Sequence, residues 1–217
     1  MAFDLTPILQ QSQVFSLIPE WFYLYSGLVY LLSLAISFLV SYFSFRLYRI
    51  SSSRKQSLLA VAFLLIGIGF TFLSAASFYT YENSKSLDQS AFDLNNNAYS
   101  MYYVLTLAAY LFIVMINLPK KDEKLFLIVP LWFINSSQFH LTALLFLIYI
   151  SARSVFNFFK VKTEDAFLVM FAFLMITLFH VFLLLMPFGI ELYLVAHTFL
   201  IVGFLSLLAM LIRVTRK

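Results

Sequence analysis

Long apolar runs, broken by short polar or basic stretches, set the pattern of this chain. Five of them, about 21–44, 57–80, 98–118, 165–186 and 190–212, reach the roughly 20 mostly apolar residues that a helix needs to cross the hydrocarbon core. The stretch 125–159 is too long for one ordinary span and short for two. Its polar run Asn135-Ser136-Ser137-Gln138 reads either as a turn between a short fourth helix at 125–135 and a fifth at 139–158, or as a polar patch within one long helix. The first reading gives seven spans and the second six. The expected fold is therefore an all-α, polytopic transmembrane bundle.

The basic residues arbitrate between the two counts, because Lys and Arg near span ends concentrate on the cytoplasmic side. With seven spans, 13 of the 14 Lys and Arg residues fall in inner loops and only Lys85 falls outside. The inner segments then carry a charge of +9 and the outer ones −5, in keeping with the net +4. Six spans would put Arg153, Lys160 and Lys162 across the membrane from the other basic clusters. Seven helices are expected, with the N-terminus outside and the C-terminus cytoplasmic in a multi-pass cell-membrane protein. The short span at 125–135, which contains Pro130, is the thinnest element and would tilt or re-enter.

Composition agrees: 63% of residues are hydrophobic and 11% charged, against about 25% charged in a soluble domain. The connections are short, so 1–217 reads as one transmembrane domain, with a lead at 1–20 and a bundle at 21–212. Thr6-Pro7 resembles a helix start, and the lead is expected to be retained, either as an outer amphipathic helix or as flexible chain. The polar stretch 81–97 is expected to be a solvated connector, with a lid over the bundle as the alternative. No internal repeat is evident in the residues, although seven helices admit a three-plus-one-plus-three division. Gly67, Gly69, Ser74 and Ser77 in span two, and Gly203 and Ser206 in span seven, are small residues suited to close helix contact. The basic inner face predicts contact with anionic lipid headgroups, and the apolar bulk with the bilayer; nucleic acid is not an expected partner.

Ionisable groups inside spans are costly and stand as functional candidates by default. His180 lies seven residues before Pro187, and His197 eight residues after Gly189, which sets both imidazoles roughly 10–12 Å below one outer turn. His140, Gln138, Tyr193 and Glu191 lie towards the same side. Ligand-binding candidates are accordingly His180, His197, His140, Gln138 and Tyr193. A haem would need two imidazoles at matched depth facing one cavity, and zinc three or four nitrogen or oxygen ligands. The simpler reading gives His180 and His197 each a backbone carbonyl or hydroxyl partner within the bundle, with no cofactor. Cysteine is absent, so disulfides and thiolate metal sites are excluded. The last span has no lysine for a retinal Schiff base, no Gly-rich phosphate loop, HExxH or GxSxG occurs, and no catalytic residue is assigned.

Residues 43–73, FSFRLYRISSSRKQSLLAVAFLLIGIGFTFL, carry an aromatic and arginine-rich stop, a short basic loop and a second apolar span. This opening resembles that of seven-helix sensor regions in prokaryotic signalling proteins and of small archaeal multi-span membrane proteins. The resemblance implies a non-enzymatic, receptor-like bundle. Because only five residues follow Ile212, such a bundle is expected to act with a separate protein partner. A facilitator-type transporter and a haem- or metal-binding membrane enzyme are the alternatives.

Overall fold

A computed structural model describes residues 20–83, 89–117, 136–189 and 191–216. The lead before Glu20 and the expected short helix at 125–135 lie outside them. The described residues form six α-helices: α1 (Glu20–Ser51), α2 (Arg54–Asn83), α3 (Gln89–Asn117), α4 (Ser136–Val161), α5 (Glu164–Leu184) and α6 (Glu191–Arg216). A 3₁₀ turn, Met186–Phe188, with Pro187 near its start, makes the corner between α5 and α6. All six helices are long and apolar enough to cross a membrane. Mid-helix side chains such as Leu145 and Ile148 are 70% and 56% exposed, an arrangement that water would penalise and lipid accepts. The chain is a multi-pass helical membrane protein.

Two hairpins share one device. Ser52 between α1 and α2, and Lys162 between α4 and α5, take left-handed backbone conformations with φ of 51° and 53°. Their amides close on Tyr48 O at 2.8 Å and on Phe158 O at 2.7 Å, which satisfies carbonyls that the helix ends would otherwise leave open. Thr163 then caps α5 by accepting from the Ala166 amide, and Glu164 and Asp165 follow in its positive first turn. Arg213 at the end of α6 bonds to Glu164, an exposed pair of small energetic weight.

The helices pack in chain order around a ring that α6 closes against α1. Across the middle, Phe204 of α6 meets Phe63 and Phe70 of α2 with ring centroids 5.6 and 6.1 Å apart. These three rings are almost fully buried and form an aromatic waist. Small residues bring the backbones close. A Cβ on Gly203 would lie 2.9 Å from the carbonyl oxygen of Ala172, and Ser206 donates to Leu168 O, so α6 lies directly on α5.

One end of the ring, here the distal end, gathers the starts of α1, α3, α4 and α6 and the finishes of α2 and α5. Phe22, Asn95, Ser136 and Tyr193 represent the starts there, and Ser77 and Leu183 the finishes. All nine described Lys and Arg residues lie towards the opposite, basic end. Two triplets, α1–α2–α3 and α4–α5–α6, thus run in the same sense, each opening with a hairpin turned by one residue of left-handed backbone conformation. Consequently α3 and α4 are parallel neighbours, and Asn117 and Ser136 sit at opposite ends of the bundle.

The expected connector at 81–97 differs from the structure. α2 continues to Asn83 and α3 begins at Gln89. Ala91, Asn95, Ala98 and Tyr102, spaced by about one turn, form a buried face that continues the span towards the distal end.

With no native cysteine, single cysteines at Glu20 and Arg216 report on the two ends of the bundle. A membrane-impermeant maleimide applied to one side is expected to label one of Glu20→Cys and Arg216→Cys and not the other. Labelling of both from the same side would contradict the parallel arrangement of α1 and α6.

Candidate ligand-binding site

A cavity of about 660 Å³ opens between the distal ends of all six helices, within the roughly 300–1,000 Å³ usual for small-molecule sites. Its wall is aromatic and polar. Phe22, Tyr23, Tyr30, Tyr99, Tyr103 and Tyr193 supply rings, and His140, His197 and Asn95 supply nitrogen-bearing groups. No Asp, Glu, Lys or Arg is among its described lining residues.

Hydroxyl groups from three helices meet on its α1 side. Tyr30 Oη lies 2.9 Å from Tyr99 Oη and 2.8 Å from Tyr193 Oη. Tyr193 donates to Ser26 Oγ at 2.9 Å, and Ser26 donates to Phe22 O at 2.7 Å. In an apolar interior an unpaired hydroxyl costs about 1–3 kcal/mol, so these groups hold α1, α3 and α6 together at this level. The stacked contact of Tyr103 with Phe139, centroids 4.2 Å apart, does the same for α3 and α4.

The histidines divide into two arrangements. His140 Nδ1 and His180 Nδ1 are 2.9 Å apart, and His180 Nε2 is 2.9 Å from Tyr110 Oη. One imidazole must donate and the other accept, so the tautomers of His140 and His180 are linked, and the choice passes to Tyr110 on α3. His197 stands apart: its Nδ1 lies 2.8 Å from Tyr193 O, and its Nε2 is buried without a partner. Phe179 separates the two arrangements, with its centroid 4.8 Å from that of His180 and 5.4 Å from that of His197.

Of the residues singled out from the sequence, His140, His197 and Tyr193 line the cavity. His180 lies beneath it, fully buried among Phe139, Phe179 and Tyr110, and reaches the cavity only through His140. Gln138 is exposed, because two residues before His140 is about 200° around the helix. Both ring nitrogens of His180 are engaged, so His180 and His197 do not present a free pair to one haem. Among the described residues no three His, Asp or Glu side chains converge as a metal site.

Sequence reading missed Tyr23, Ser26, Tyr30, Asn95 and Tyr99. Their signal was present: Tyr23, Ser26 and Tyr30 in α1, and Asn95 and Tyr99 in α3, place polar atoms one turn apart within apolar helices. Tyrosine's apolar body hid them in a count of hydrophobic residues. No protein-family model, curated protein or solved structure matches the chain.

His180→Leu would leave His140 Nδ1 and Tyr110 Oη without their partner. Thermal unfolding in detergent is expected to show a loss of about 1–3 kcal/mol. Adding Tyr110→Phe should recover part of that loss, since it removes one stranded group. Strict additivity of the two substitutions would contradict the coupling.

Proposed function

We propose that this protein is a receptor-like bundle that takes a small molecule into the distal cavity and acts through its basic end with a separate protein partner. The observation that carries the reading is the cavity itself: an aromatic and imidazole-lined space with buried, unsatisfied polar atoms and no charged wall. A membrane core has strong reason to fill or satisfy such a space, and a ligand does both. The distal end is the outer one, because the positive residues collect at the other end. The resemblance of residues 43–73 to prokaryotic seven-helix sensor regions points the same way.

Seven crossings belong to this proposal. With α3 and α4 parallel, the chain from Asn117 has to return to the distal end to reach Ser136. The parallel arrangement of α3 and α4 supports a seventh passage between Asn117 and Ser136. The basic end would rest on anionic headgroups of the inner leaflet.

Transport is the second reading, and one observation favours it. A second cavity, about 800 Å³ and lined by Lys55, Arg153 and Asn157 among others, occupies the basic end beyond the aromatic waist. Two parallel triplets with cavities at both ends are an arrangement that rocking could open alternately.

A fragment screen by thermal shift separates these readings. Ligands of the distal cavity near saturation should raise the midpoint of the wild type by on the order of 5 °C and leave Ser77→Phe, which fills the cavity wall, unmoved. Equal shifts in both proteins would remove the cavity from the account. Counterflow of a radiolabelled hit through proteoliposomes would favour the transporter over the receptor.

A further inference from the structure

The hydroxyl chain beside the cavity has a direction, and the direction restricts what can bind. Phe22 O is a carbonyl and can only accept, so Ser26 spends its single hydroxyl proton there. Tyr193 spends its own on Ser26. The 2.8 Å contact between Tyr30 and Tyr193 therefore needs the proton of Tyr30, and the 2.9 Å contact between Tyr99 and Tyr30 needs that of Tyr99. Protons run from Tyr99 through Tyr30 and Tyr193 to Ser26 and the backbone. At the head of this chain Tyr99, a lining residue, has only lone pairs left for the cavity.

His197 reaches the same condition independently. The carbonyl of Tyr193 can only accept, so the proton of the neutral ring sits on Nδ1. Nε2 is then a bare lone pair, buried and unpartnered in a residue 1% exposed. A doubly protonated ring would be a buried cation with no acid among the described lining residues to compensate it. Tyr193 directs both features, through its hydroxyl for the chain and its carbonyl for His197. Tyr23 Oη, also buried and unpartnered, is left as a group that can donate.

From this geometry we infer that the distal cavity binds an uncharged molecule with an apolar body and an O–H or N–H group, which donates to His197 Nε2. The rings of Phe22, Tyr30, Phe179 and Tyr193 enclose the apolar body, and a hydroxyl can in addition accept from a donor such as Tyr23. Carboxylates and phosphates are disfavoured because they would face the lone pairs of His197 and Tyr99 without a cation nearby. Organic cations lack a counter-charge. The inference rests on the ligand-binding reading of the cavity and adds the chemistry of what enters it.

Three probes of one shape test it with the full chain in lipid nanodiscs: para-hexylphenol, its methyl ether para-hexylanisole, and para-hexylphenyltrimethylammonium. Binding is followed by saturation-transfer NMR, with Ser77→Phe as the filled-cavity control. The phenol is expected to bind the wild type roughly fivefold or more tightly than the ether, the ratio set by one hydrogen bond to a buried acceptor. In His197→Phe the two should bind within about twofold of each other; the ratio in the wild type stands as a test even if that variant does not fold. Equal binding of phenol and ether to the wild type would overturn the donor rule while leaving the cavity a ligand site. Tighter binding of the ammonium probe would overturn the preference for an uncharged molecule. If no probe binds the wild type more than Ser77→Phe, the ligand-site reading fails and the inference fails with it.

Discussion

A polar atom inside a membrane bundle has no solvent to fall back on, so each one must find its partner in another helix or in its own backbone. In this protein that constraint shapes the distal half. Tyr30 answers Tyr99 and Tyr193, Ser26 answers Tyr193, and His180 is held between His140 and Tyr110. Each pairing also fastens two helices whose apolar faces would gain little from leaving lipid for one another. Ser33 Oγ, Ser44 Oγ and Thr106 Oγ1 break the rule away from the cavity, whereas the unsatisfied His197 Nε2 and Tyr23 Oη belong to cavity-lining residues. The position of these two makes them more than a packing fault.

The basic half is organised differently. Below the waist of Phe63, Phe70 and Phe204, aromatic and aliphatic contacts are joined by single hydroxyl-to-backbone bonds between helices, from Ser41 to Ala60 O and from Ser206 to Leu168 O, and the charged residues collect beyond them. Two similar hairpins, turned by Ser52 and Lys162, open two helix triplets that run in the same sense. The ring that they close brings the polar ends of six helices to a single opening. Cavity, waist and basic end are thus consequences of one arrangement of helices.

Hydropathy made the spans legible because lipid imposes a length and an apolar composition on every crossing helix, and the described helices cover the spans expected for them to within two residues at either end. The stretch 89–97 was less legible, since Asn95, Asn96 and Asn97 look like loop residues until Asn95 is seen facing a polar interior. His140, His197 and Tyr193 could be placed near one surface from residue counting alone. Their partners could not, because the link from His140 to His180, or from Tyr30 to Tyr99 and Tyr193, joins helices whose mutual rotation no local pattern encodes. Gln138 shows the same gap from the other side: its depth was right and its azimuth was not.

The claim that matters most is that Tyr193 holds His197 as a neutral acceptor in the cavity wall. The chain has three histidines, so imidazole-selective ¹⁵N labelling in nanodiscs yields a spectrum of three rings, and loss of one in His197→Phe assigns it. His197 should appear at neutral pH with a protonated Nδ1 and an unprotonated Nε2. A proton on Nε2, whether in the other tautomer or in a charged ring, would contradict the account.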